Sequence, residues 1–325
     1  MKAVLVDGYE IPERGKQLQM ELFQANGVEF RIENCKTPEE IVERCSDADV
    51  ILNVYRKMDA RVIGRLPQCR GLVRYGIGYD VFDVEAATRL GIPVCNIPAY
   101  CIPEVAAHTL ALLLAASRQL VRSTLAVRAG LWNKGPGQIL MRRPSAQTLG
   151  LLGFGHIARE VARLAAPLGY HILAYDPFLP QEVFDDAGAD RADLDGVIRG
   201  ADILSCHTPL NKDTFHLLDR ERFAQMKDGV IIVNTSRGGV ICEADLIDAL
   251  RSGKVAAAGL DVVETEPLPA GHPFSRMDNV VLSPHAAYDS YEASTALYTQ
   301  AAETAVKLLR GEIPENTVNQ RALGR

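Results

Sequence analysis

Residues Thr148–Glu160 read TLGLLGFGHIARE, and this stretch decides the fold. An apolar run, Thr148 to Leu152, passes into Gly153-Phe154-Gly155 and then into an amphipathic segment beginning His156-Ile157. Gly153, Gly155 and Ala158 fit G-x-G-x-x-G/A. The glycines allow a tight turn and let backbone approach a pyrophosphate, while the following helix N-terminus, with the amides of His156 and Ile157, faces the negative charge. Glycines also make ordinary turns, so the turn alone is a weak signal. The next apolar run, HILAYD, ends in Asp176, 18 residues beyond Ala158. A carboxylate there accepts hydrogen bonds from a ribose diol and repels a 2′-phosphate, which selects NAD over NADP. Asp176 also precedes Pro177 and suits a turn start, and the two roles are compatible.

The same habit extends in both directions. KAVLVDG, VEFRIENC, ADVILNVY, GLVRYGIG and IPVCNIP read as short strands before it, separated by helical patterns such as TPEEIVERC. ADILSCHTP, GVIIVNTS, AAAGLDVV and NVVLSPH follow it. Continuous apolar strands at βαβ spacing argue for parallel sheets covered by helices on both faces. Two such series imply an α/β chain of two doubly wound parallel-sheet domains, with ligands expected at the strand carboxyl ends. Residues 103–129 read as one long helix opening with Pro103, and a second spans about Tyr291 to Arg310. GEIPENTVN then reads as a return to the first domain. The two long helices are expected to cross and join the domains.

Composition bounds the function classes. The chain has 325 residues, 47% hydrophobic and 23% charged, with net charge -6. That is an ordinary globular balance with no electrostatic footprint for nucleic acid or an anionic membrane. The N-terminus, MKAVLVDGYE, reads as a core strand rather than a signal peptide. The apolar run around Thr109 to Ala116 is much shorter than the ~20 residues of a membrane span. The seven cysteines include no CxxC pair, and several lie in strand-like runs. They read as buried free thiols in a reducing cytoplasm. No His/Cys/Asp/Glu group shows metal-ligand spacing.

Chemistry-bearing residues cluster after the last strands. Thr235-Ser236-Arg237 follows GVIIV, where an arginine is either an ordinary surface cation or a planar fork for a carboxylate. Asp261 and Glu266 follow AAAGL. His285, in SPHAA, closes the series, and alone it reads as a core histidine, a metal ligand or a proton donor. Asp261 lies 24 positions after Arg237, Glu266 5 after Asp261, and His285 19 after Glu266.

With the glycine motif, the ordered segments NTSRGG, GLDVVETEP and SPHAA resemble the D-isomer-specific 2-hydroxyacid dehydrogenases over nearly the whole chain. RYGIGYD, PVCNIPAYC, AVRAGLW and PHAAYDS are most similar to its C-terminal-binding-protein-like and phosphoglycerate-dehydrogenase-like branch. The resemblance implies a flavodoxin-like substrate domain (1–99 plus 291–325) and a Rossmann NAD-binding domain (100–290). It implies an NAD-dependent oxidoreductase interconverting a D-2-hydroxy acid and its 2-keto acid, cytoplasmic and homodimeric, with no nucleic-acid or membrane partner. His285 becomes the acid/base, Glu266 its orienting partner and Arg237 the carboxylate ligand. Besides the glycine motif and Asp176, His207, Pro209, Thr214, Thr235, Ser236, Asp261 and Ala287 are placed along the cofactor. Asp261 could instead cap a loop. Tyr75, Gly76, Ile77 and Gly78, through backbone amides, and Tyr100, as a pocket wall, are placed at the substrate. Trp132 is expected to anchor a dimer arm. A phosphoglycerate dehydrogenase would carry an arginine where this chain has Asn53. The alternative is an NAD(H)-sensing binding protein of corepressor type, whose relatives keep the Arg, Glu and His.

Overall fold

Runs rich in Val, Ile, Leu and Ala form short parallel strands, most of them buried on both faces. The computed structural model describes residues 1–132 and 140–324, so the AGLWNKG stretch from Asn133 onward lies outside the described residues. The described chain divides into two compact units, Met1–Tyr100 with Ser290–Arg325, and Cys101–Asp289.

The first unit holds β1 (Lys2–Leu5), β2 (Glu29–Ile32), β3 (Val50–Asn53), β4 (Gly71–Arg74) and β5 (Val94–Cys95), in the order β2-β1-β3-β4-β5. All neighbours pair parallel. That order is the flavodoxin-like one, whose crossing point lies between β1 and β3. Asp7, just past β1, is fully buried there, and its carboxylate accepts the amides of Val54, Tyr55 and Arg56 beyond β3 at 2.7–3.2 Å. The long helix Tyr291–Leu309, capped by Ser290, adds Leu297, Ala301, Ala302, Ala305 and Leu308 to the core with β1, β3 and β4. Beyond it the chain returns to β5: Val318 donates to the Val94 carbonyl at 2.8 Å, and Asn319 accepts the Val94 amide at 2.9 Å.

The second unit holds β6 (Thr148–Leu152), β7 (His171–Tyr175), β8 (Asp190–Arg191), β9 (Ile203–Cys206), β10 (Val230–Asn234), β11 (Val255–Leu260) and β12 (Val280–Leu282). Their order is β12-β11-β10-β9-β6-β7-β8, again all parallel. β8 is a two-residue, exposed edge strand without an apolar run, which is why the sequence pattern does not announce it. The sheet is buried between two apolar clusters, one around Leu204, Ile232 and Ala258, the other around Leu151, Phe154 and Val233.

One expectation needs correction. Residues 103–129 are two helices, Ile102–Ser117 and Leu120–Arg128, bent by 58°. Gln119 at the break adopts a left-handed backbone, φ +52°, and no glycine or proline marks it in advance. No single helix among the described residues is long and apolar enough to cross a membrane; this bent pair passes only by joint length and composition, and much of its first helix is buried core. All seven cysteines are free thiols, six of them buried and Cys242 partly open.

Candidate active site

The strand order of the second unit reverses between β6 and β9, and the chain leaving β6 is the glycine turn. Gly153 takes φ +85°, and a Cβ there would stand 2.8 Å from the His207 carbonyl oxygen just past β9. This is a position where only glycine fits. A Cβ on Gly155 would meet nothing within 4 Å, so the turn is open at that point. Gly155 is also the N-cap of helix His156–Ala165 and brings no side chain to its orphan amides. An uncapped helix start at a sheet's reversal point, with open space before it, fits a pyrophosphate. Asp176, past β7, accepts the Phe154 amide through Oδ2 and the Phe178 amide through Oδ1, each at 3.0 Å. It therefore starts the turn at Pro177 and places a carboxylate against the glycine turn at once.

The other cofactor candidates line neighbouring loops. The His207 ring meets Ser205 Oγ at 2.9 Å, and desolvation pushes its pKa down to about 4, although the residue as a whole is only half-buried. It is a neutral ring at pH 7. Thr214 donates to the Pro209 carbonyl at 2.6 Å, closing the turn after β9. Past β10, Thr235 Oγ1 meets Thr109 Oγ1 at 2.8 Å, and Asn234 holds the loop by accepting Ser236 and donating to the Arg237 carbonyl. His156 is exposed and pairs with Arg159 at 3.1 Å, while Ile157 occupies the first helical turn.

Three further strand ends bring the charged residues together. His285 Nδ1 lies 2.7 Å from Glu266 Oε2. Burial would raise the Glu266 pKa, but the hydrogen bond and charge of His285, the Val263 amide and the Arg237 charge outweigh it and hold the carboxyl below its usual range. Arg237, half-buried, is steadied by a 2.8 Å bond from Nη1 to the Ser236 carbonyl. His285 itself takes φ +53°, a left-handed backbone rare for a residue with a Cβ. Asp261 holds it there. Its backbone carbonyl accepts the His285 amide at 2.8 Å, and its carboxylate accepts Ser283 Oγ, Ala286 N and Ala287 N at 2.6, 2.9 and 3.0 Å. The loop-capping role thus falls to Asp261, and Ala287 is one of the residues it ties.

In the first unit the loop 75–78 is more selective than the motif suggested. The amides of Tyr75 and Gly76 are engaged by the carbonyls of Asn53 and Arg74, which among the described residues leaves those of Ile77 and Gly78. Gly76 has φ +140° and sits over the Arg74 guanidinium. The Tyr75 ring is core, its hydroxyl bonded to Gln19, and burial pushes its pKa well up. Tyr100, partly buried, packs on the same core. Asn53 is fully buried, exchanging hydrogen bonds with the Arg56 backbone.

From the sequence, His108 on its apolar helix face reads as a satisfied helix-packing residue rather than a ligand, with no sign that its partner is Ser283. Ser283 donates its hydroxyl hydrogen to Asp261, so its contact with His108 Nε2 at 2.8 Å requires that nitrogen to carry a hydrogen. The chain His108–Ser283–Asp261 buttresses the loop carrying His285. The serine was in view, two residues before the histidine; its pairing with a distant helix was not.

A doubly wound sheet with a glycine turn at its reversal point, an acid at the next strand end and a carboxylate-held histidine defines a dinucleotide-dependent oxidoreductase. Residues 110–287 match the family model described as D-isomer specific 2-hydroxyacid dehydrogenase, NAD binding domain. The chain is 37% identical to a glyoxylate reductase of Korarchaeum cryptofilum, covering 97% of this chain and 95% of that one. It is 39% identical to a D-3-phosphoglycerate dehydrogenase of Methanocaldococcus jannaschii over 87% of this chain, yet spans only 54% of that longer protein. A D-lactate dehydrogenase structure from Aquifex aeolicus, complexed with NAD and lactic acid, superposes with TM-score 0.86 at 26% identity, covering 98% and 99% of the two chains. The chain belongs to the D-isomer specific 2-hydroxyacid dehydrogenase family. It is an NAD-dependent enzyme interconverting 2-hydroxy and 2-keto acids.

Proposed function

We propose that His285 is the proton donor to the 2-keto oxygen during reduction, and the base that removes the hydroxyl proton in reverse. The observation that carries this reading is the 2.7 Å bond between His285 Nδ1 and Glu266. With Nδ1 engaged there, exchange with substrate falls to Nε2. NADH, when bound, supplies the hydride. Arg237 holds the substrate carboxylate and stabilises charge developing on the oxygen. Glu266 orients the ring, and Asp261 positions its loop. The turn Gly153–Ile157, together with His207, Pro209, Thr214, Thr235, Ser236 and Ala287, forms the cofactor bed, and Asp176 takes the ribose hydroxyls. In the first unit, the substrate domain of this reading, the Ile77 and Gly78 amides bind the carboxylate.

The substrate is a small unphosphorylated 2-keto acid of the glyoxylate or hydroxypyruvate kind. The end-to-end match to a glyoxylate reductase supports this, as does Asn53, whose amide caps its own loop in place of an arginine. A screen of 2-keto acids with NADH and NADPH tests it: the highest kcat/KM is expected for glyoxylate or hydroxypyruvate with NADH. A preference for phosphohydroxypyruvate would overturn the substrate reading. No observation favours a non-catalytic NAD sensor.

The enzyme works as a cytoplasmic homodimer. Helix Leu120–Arg128 has no buried residue; Leu120, Leu125 and Val127 are exposed, as are Leu131, Trp132 (89%) and Leu140. A second copy of the chain covers these groups. Sedimentation should show a dimer that Trp132→Glu weakens, and a wild-type monomer at micromolar concentration would refute it.

A further inference from the structure

We infer that His216, Cys242 and Glu264 form a binding site for one divalent metal ion of the zinc class. The three come from different places in the second unit: the connection after β9, the N-cap of helix Glu243–Ser252, and the loop after β11. They are 26 and 22 residues apart in the chain, so no sequence motif could announce them. Their ligand atoms lie within 4.8 Å of one another. Imidazole, thiolate and carboxylate are the donor types that zinc takes at about 2.0–2.3 Å, and they do not suit magnesium or calcium.

A second observation points the same way. His216 Nε2 is 3.0 Å from Glu264 Oε1, yet it is a buried nitrogen without a hydrogen bond to any described residue. The approach is close but not in hydrogen-bond geometry, as expected of two donors sharing a third point. The histidine is also held firmly in place. It adopts φ +52°, its amide donates to the Gly239 carbonyl at 2.8 Å, and the Phe215 ring stacks on it at 3.9 Å. Left-handed backbone on a residue with a Cβ persists only where surroundings impose it. The Glu264 carboxylate accepts the Glu243 amide at 2.7 Å, and the Glu243 carboxylate accepts the Glu264 amide at 3.1 Å, which fixes the second ligand.

The surroundings carry negative charge. Glu243 pairs with His272 at 2.8 Å, and Asp245, a hydrogen-bond partner of the Cys242 thiol, pairs with Arg220 at 3.0 Å. The His216 and Glu264 side chains are each 32% exposed, so an ion can enter and keep solvent as its fourth ligand. Bound there, it ties together three segments, one of which runs on two residues to Glu266. The assignment does not depend on the catalytic roles proposed above.

The test is metal binding by the chelator-treated full chain, using Zn2+ and Co2+ alone. Wild type should bind one Zn2+ per chain in competition with a chromophoric chelator, gain thermal stability with Zn2+ but not Mg2+, and show a sulfur-to-cobalt charge-transfer band with Co2+. Cys242→Ala should abolish the band. Glu264→Gln should weaken Zn2+ binding by at least about 100-fold, since even groups outside the direct ligand set cost 10–100-fold. Circular dichroism of the metal-free variants checks that they fold; if Cys242→Ala does not, the retained fold of Glu264→Gln decides. No Zn2+ binding by wild type, a band that survives Cys242→Ala, or unchanged affinity in folded Glu264→Gln would overturn the site.

Discussion

Asp261→Asn is the sharpest probe of how this site is built. The side chain is 1% exposed and both its oxygens are used: one accepts Ser283 Oγ and Ala286 N, the other Ala287 N. Asparagine keeps one accepting oxygen and turns the other position into a donor. If the oxygen stays with Ser283 and Ala286, the buried Ala287 amide faces an NH2. An unsatisfied buried donor costs about 1–3 kcal/mol, and the two retained bonds fall from charge-assisted to neutral strength, roughly 1 kcal/mol each. Relief from burying a charge offsets part of this, leaving a loss of about 2–4 kcal/mol, a large share of a typical 5–15 kcal/mol stability. Guanidinium unfolding of Asp261→Asn should show a clearly lower midpoint. Because the same loop carries His285 at φ +53°, kcat should fall more than NADH affinity. An unchanged midpoint with full turnover would refute the capping argument.

His285→Gln should retain NADH binding, read by fluorescence titration, while losing most turnover; unchanged turnover sinks the proton-donor assignment. Asp176→Ala should raise the efficiency with NADPH relative to NADH, and an unaltered ratio refutes the ribose contact. Glu266 has a depressed carboxyl pKa, so its ionised form contributes stability above the unfolded value of about 4.3, and this is lost as pH falls through the lower folded value. The stability gap between wild type and Glu266→Gln should therefore be present at pH 7 and narrow as pH falls below the ordinary glutamate range. A gap that widens as pH falls contradicts the sign.

Much of this was legible because parallel strands buried on both faces announce themselves as unbroken apolar runs. Most strands stand where such runs end in Gly, Asn, Asp or His; the exceptions are β8, whose Asp190 and Arg191 carry no apolar signal, and β2, where Glu29 and Arg31 alternate with Phe30 and Ile32 and no residue is buried. The candidate site residues at strand ends were visible for the same reason: Asp261 follows directly on such a run, and Arg237 and His285 each stand three residues past one. Contacts assembled across the fold were not. His108 reaches Ser283 over 175 residues, and the break at Gln119 rests on a backbone angle that no nearby glycine or proline betrays. The loop 75–78 was visible as a motif, but which of its amides were already engaged depended on Asn53 and Arg74 in three dimensions.

The Asp7 contact has a consequence for the division of labour within the chain. Doubly wound sheets receive ligands where their strand order reverses, and this protein contains two such reversals. At the first, Asp7 presents its carboxylate to the amides of residues 54–56 much as a bound anion would. The protein has filled that berth with a tethered guest of its own. At the second reversal, by Gly153 and His207, Asp176 takes only the Phe154 amide, while the Gly155 position stays open and no side chain caps the helix that starts there. Of two equivalent docking points, one has been traded for rigidity, and only the other is left to receive a nucleotide.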